Sequence, residues 1–164
     1  MILFLEPYFF TRIFFLRLAF FVLGLTWIIG LISPCLDTEF LHSVYPFLKQ
    51  TYSTVCHQNE SKTFHCGQSA FFVCARCTGI YAGAVISSFI ILILKIKLQF
   101  KYKYLLLLSI PMLSDVILYS IGLYNYSKIV SSISGLLFGS SVFLYILTAI
   151  EKSLYTKNNF TNEY

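Results

Sequence analysis

The chain has 164 residues, a net charge of +5, 57% hydrophobic and only 12% charged residues, and a mean hydropathy of +0.75. A soluble globular domain carries nearer a quarter charged residues, so the composition excludes one and predicts an integral membrane protein. Seventeen Phe and twelve Tyr suit lipid contact and the aromatic belts of a bilayer. The basic residues sit at the ends of apolar segments rather than on one polar face, so the charge orients the chain in a membrane and predicts no nucleic-acid partner.

Met1 to Thr11 is short, apolar and aromatic. Arg12 and Arg17 then flank a run that reaches Ile32. With Arg17 snorkelling, a first span over 13–33 reaches the ~20 residues a crossing needs. A cleaved leader is the rival reading, since Leu31-Ile32-Ser33-Pro34-Cys35 hints at a lipoprotein site. Pro34 stands where such a site needs a small flexible residue, so the segment is read as a helix that stops at Pro34.

Residues 35–69 form the largest polar segment. Within it Leu41, Val44, Leu48 and Tyr52 recur at helical spacing, with Asp37 or Thr38 as cap. Pro46 breaks that pattern, so the stretch is read either as two short amphipathic helices on the membrane surface or as an ordered loop. A second span follows over 70–94, then a basic connector over 95–103 holding four lysines in nine residues. A third span covers 104–123 with Pro111 and Asp115 inside it, a tight turn at Tyr124-Asn125-Tyr126-Ser127 follows, a fourth span covers 129–150, and a polar tail runs over 151–164.

The lysine-rich connector belongs in the cytoplasm by the positive-inside rule. Both termini are then cytoplasmic, and residues 35–69 face outward, where disulfides are permitted. The expectation is one membrane domain over 1–164 in the cell (inner, cytoplasmic) membrane. Its fold is an all-α bundle of four transmembrane helices with a Cys/His-containing outer loop, and its partner is the lipid bilayer.

The chemistry concentrates in Val55 to Gly83, which holds four of the five cysteines and two of the three histidines. Cys74-x-x-Cys77 can direct two sulfurs at one metal ion or close a small disulfide. Cys56-His57 upstream supplies a third sulfur and an imidazole, so Cys56, His57, Cys74 and Cys77 make a Cys3His set for zinc or another transition metal. The bland reading is a disulfide and an exposed histidine. His65-Cys66 and Cys35 lie toward the same face, with roles left open, and an odd cysteine count leaves at least one thiol over if disulfides form.

Arg76 sits between the two cysteines. Asp115 falls about 12 Å below the outer end of the third span and Arg76 about 7.5 Å below Phe71 near the start of the second, at a rise of about 1.5 Å per residue. An acid at membrane depth faces a partner or a wet cavity, so an intramembrane Arg76–Asp115 pair is expected, the alternative being hydrogen bonds from Asp115 to Ser131 or Ser134. Gly79-x-x-x-Gly83 and Gly135-x-x-x-Gly139 allow close helix approach. The serines around the second motif line either a polar cavity or packing notches. Asn59-x-Ser61 and Asn125-x-Ser127 match a short glycosylation pattern.

The residues Cys56-His57-Gln58, Phe64, Gly67 and Val73-Cys74-Ala75-Arg76-Cys77-Thr78-Gly79-Ile80-Tyr81-x-Gly83 resemble a bacterial membrane family, domain of unknown function 2085. Pro111-Met112-Leu113-x-Asp115 and Gly135-x-x-x-Gly139 resemble it too. The resemblance covers about half the chain. It implies a small multi-span membrane protein, singles out Cys56, His57, Gln58, Cys74, Arg76, Cys77 and Asp115, and implies no reaction. Two departures stand out. The family tends to D-G-x-x-Q where this chain has Asp115-Val116-Ile117-Leu118-Tyr119, and to an arginine about where Ser131 stands.

Three functions follow. The first is a metal-binding membrane module. The second is a membrane thiol-disulfide or quinone oxidoreductase, with Cys74, Cys77, Cys56 and Arg76 at work and a quinone as cofactor. The third is a small transporter with Asp115 in its polar path. Whether the chain is an enzyme is left open.

Overall fold

The structure, a computed structural model, describes residues 7–36, 39–94 and 100–161. Most of the basic connector, 95–99, lies outside the described residues, as do Asp37 and Thr38 and the last three residues of the polar tail.

Four helices are long and apolar enough to cross a membrane: α1 (Pro7–Ile32), α3 (Ala75–Leu94), α4 (Tyr102–Ser120) and α5 (Lys128–Thr161). A fifth, α2 (Glu39–Ser53), is amphipathic and joins the bundle between α1 and a two-stranded antiparallel hairpin. The hairpin is β1 (Thr63–Cys66) and β2 (Ser69–Cys74).

The architecture is the four-helix membrane bundle that composition and segment lengths predict, with three local differences. The expected span over 70–94 begins as a strand. Phe71, Phe72 and Val73 are bulky residues that suit a pleated, half-buried surface, and a two-residue Gly67-Gln68 turn, with Gly67 at φ 63°, folds them back on β1. The two expected surface helices are one, because α2 runs through Pro46. Pro46 is exposed, so water or headgroups can take the carbonyl it leaves without a donor. The expected polar tail continues α5 well past residue 150.

α3 and α5 form the closest helix pair. A Cβ on Gly79 or Gly83 would run into the backbone of Ser132 or Leu136, and one on Gly135 or Gly139 into that of Arg76 or Ile80. The two small-residue motifs therefore face each other and bring the backbones together. The serines around them hydrogen-bond within α5 and across the seam: Ser134 donates to the Ser131 carbonyl at 3.1 Å and Ser140 to the Gly83 carbonyl of α3 at 3.1 Å. Among the described residues this is a packing seam rather than a polar cavity.

At the end of the bundle away from the hairpin, Arg17 of α1 grips Glu151 of α5 with two hydrogen bonds, at 2.7 and 3.0 Å. It also donates to the Ile91 carbonyl of α3 at 3.3 Å. Both ionic side chains are buried. Arg17 does not simply snorkel, and Glu151 belongs to the bundle rather than to a solvated tail. Two charges at this depth are tolerated because each satisfies the other. α4 packs mainly on α5 and exposes Leu106, Leu107, Ile110, Leu113 and Ile117, the apolar face a lipid-contacting helix presents.

Candidate metal centre

The hairpin end is where α1 stops and α3 starts, with α2 packed against α1 and β2. Leu31, Tyr52, Cys56, Phe72 and Val73 form its buried core, with Trp27, Cys74, Cys77 and Tyr81 packed against it. Aromatic rings fix the geometry: Trp27 and Tyr52 meet edge-on at 4.8 Å, and Tyr52 stacks on Phe72 at 5.6 Å. The Tyr52 hydroxyl donates to the Trp27 carbonyl at 2.7 Å, and burial pushes its pKa up to about 12.

Three thiols converge on this core. Cys56 follows the C-terminal turn of α2, where its N–H still bonds the Tyr52 carbonyl at 3.1 Å. Cys74 closes β2, and Cys77 lies in the first turn of α3. The strand-to-helix break at Cys74–Ala75 is what lets the C-x-x-C pair turn inward together. Their sulfurs and that of Cys56 lie within 4.8 Å of one another. The Cys74 backbone N–H points at Cys56 Sγ at 3.3 Å. Cys56 is buried, while Cys74 and Cys77 are half-buried. Hydrogen bonds from the Cys74 thiol first, then from the Cys77 thiol, hold Cys56 well below the ordinary thiol range, against the opposing effect of burial.

This donor set fits a soft metal ion. Sulfurs around one zinc at about 2.3 Å stand about 3.8 Å apart, a small contraction from the spacing seen. The cluster lies at the N-terminal end of α3, whose positive dipole end suits an anionic ligand set.

His57 is not part of the trio: it is exposed and its ring nitrogens do not join the group. The physical reason is local. Adjacent residues on a chain leaving a helix point apart, and Gln58 takes a left-handed φ of 49° that turns the chain away. The Gln58 side chain returns to bond the Lys49 carbonyl at 3.1 Å. The ligand set that gathers is three sulfurs, not three sulfurs and a nitrogen.

The other two cysteines have their own partner. Cys35, in a short 3-10 turn after α1, and Cys66, at the end of β1, form a disulfide with a Cα–Cα distance of 5.9 Å, normal for such a bridge. It lines a cleft of about 790 Å³ together with His65, Lys49 and Gln58; none of the three thiols lines that cleft.

Beside the trio, Arg76 pairs with the buried Asp115 at 2.6 Å. The same carboxylate accepts from Ser131 at 2.8 Å and from the Tyr124 hydroxyl. Charge pairing and serine hydrogen bonding occur together rather than as alternatives, and Ser131 serves Asp115 from about the position where the resembled family tends to carry arginine. The Tyr124 hydroxyl comes from the turn after α4, where nothing in sequence spacing points it back toward Asp115. Lys62 stacks over the Tyr119 ring at 4.2 Å, and Lys128 donates to the Thr63 carbonyl at 2.7 Å, so the hairpin is also clamped to the α4–α5 turn.

A relative described as an uncharacterized protein, MJ1492, of Methanocaldococcus jannaschii is 34% identical over 113 residues, covering 67% of this chain and 72% of its own. No solved structure matches. Residues 56–145, which contain the three thiols, Arg76 and Asp115, match the family described as predicted membrane protein, DUF2085. The chain belongs to that family.

Proposed function

We propose that this membrane protein carries a transition-metal centre, with zinc as the first candidate, held by the thiolates of Cys56, Cys74 and Cys77 where the bundle meets the outer aqueous phase. The observation that carries this reading is the approach of the three sulfurs to within 4.8 Å at the same end of the bundle as a formed disulfide. Free thiols so close together, in a setting where the neighbouring pair is oxidised, persist when a metal ion holds them. The metal would staple α2 and the hairpin to the start of α3, joining a polar segment to the bundle.

The positive-inside rule supports the orientation and the cell membrane as location: Arg12 lies near the start of α1 and Lys101 and Lys103 at the start of α4, whereas the cysteines lie where α1 ends and α3 begins. The chain is read as one membrane domain.

A thiol-disulfide or quinone oxidoreductase needs Cys74 and Cys77 to cycle as a pair. Cys56, hydrogen-bonded by the amide of Cys74, makes the set a trio and favours metal. A transport path through Asp115 fits less well, since both its oxygens are already engaged by Tyr124, Arg76 and Ser131.

Elemental analysis of detergent-purified protein tests the proposal. One equivalent of metal per chain, lost in Cys56→Ser, is expected. Protein free of metal whose Cys74 and Cys77 are joined in a disulfide would overturn it and select the redox reading.

A further inference from the structure

A structural zinc site is closed by four protein ligands, whereas a site that exchanges ligands keeps one position open. Among the described residues, three sulfurs meet and no fourth carboxylate, imidazole or thiolate joins them. The described side chains packed on this core include no carboxylate or imidazole. The Tyr52 hydroxyl is already engaged, donating to the Trp27 carbonyl. Leu31, Phe72 and Val73 have no side-chain donor atom, and an indole nitrogen such as that of Trp27 has no lone pair to offer. His57 points to solvent. Cys74 and Cys77 remain half-buried, so the trio is not sealed.

Charge limits what can enter. A divalent ion with three thiolates carries a net charge of about −1. A fourth anion would raise that to about −2 beside an apolar aromatic core, where uncompensated charge is costly. Arg76, between Cys74 and Cys77 in the chain, is already paired with Asp115, leaving the positive end of α3 as compensation. A neutral donor adds no charge.

Resting on the metal reading, we propose that the centre is open: its ion takes a fourth ligand from outside the chain, and that ligand is a neutral nitrogen donor of the imidazole type. In the exchange the bond between ion and water breaks, the bond between ion and ring nitrogen forms, and no electron is transferred. The centre would then be a docking point for a histidine-bearing molecule as well as a staple.

The test uses full-length protein loaded with Co(II) in place of zinc, titrated with imidazole and, separately, with cysteine. Imidazole is expected to shift the visible cobalt bands saturably and to add the ring's outer-shell scattering to the X-ray absorption spectrum, equally in wild type and His57→Ala. Bands unmoved by imidazole overturn the inference and leave the metal reading intact. Ring scattering present before any addition and lost in His57→Ala overturns it in the same way and identifies His57 as the closing ligand. A response to cysteine alone overturns the choice of a neutral donor. A chain that binds no Co(II) overturns both.

Discussion

The backbone N–H of Cys74 points at the sulfur of Cys56 across 3.3 Å, although the residues lie 18 positions apart. With the thiols of Cys74 and Cys77 it holds Cys56 below its ordinary value of 9.0. A group lowered on folding stabilises the fold fully above its unfolded value and loses that contribution as pH falls through its folded value. The thermal midpoint of reduced, metal-free protein should therefore rise with pH on the approach to pH 9. Cys56→Ser should abolish most of that rise, measured by thermal unfolding in detergent across a pH series.

Arg76 and Asp115 join α3 to α4 within the apolar bundle. Removing one partner of a buried pair leaves the other uncompensated, at a cost of about 3–5 kcal/mol, whereas replacing both with apolar groups is often nearly neutral. Asp115→Leu should lower the thermal midpoint sharply, and Arg76→Leu with Asp115→Leu should recover most of the loss. Equal losses in the single and double variants would show that the pair is not what joins the helices.

Arg17 and Glu151 make the matching link at the opposite end, joining α1, α3 and α5. Glu151→Ala should destabilise by about 3 kcal/mol or more, and Glu151→Gln, which keeps a hydrogen-bond acceptor for Arg17, by less. The ordering of midpoints in one detergent, wild type above Gln above Ala, checks this.

Much of the architecture is legible in the chain because the bilayer restricts what can cross it. Apolar runs of about 20 residues bounded by charge read as helices, and facing Gly-x-x-x-Gly motifs read as a helix seam. What the sequence conceals is set by tertiary partners. Phe71 to Cys74 are apolar enough to extend a span, and only pairing with β1 makes them a strand. Cys35 and Cys66 are two of five cysteines whose pairing spacing does not determine. Glu151 looks like the start of a polar tail until Arg17 is found opposite it. At the centre itself, residue type marks Cys56, Cys74 and Cys77 as possible ligands, whereas their approach is made by the packing of Tyr52, Phe72 and Val73 around Cys56. The outward turn of His57 depends on one backbone angle at Gln58, which no residue type demands.

The central claim is that Cys56, Cys74 and Cys77 are held together by a metal ion while Cys35 and Cys66 are bonded to each other. Differential alkylation of unreduced, purified protein, read residue by residue by mass spectrometry, tests it most directly. The account predicts no rapid labelling before a chelator is added, labelling at Cys56, Cys74 and Cys77 after it, and at Cys35 and Cys66 only after reduction. Equal labelling of the three with and without chelator, or their protection until a reductant is added, would contradict it.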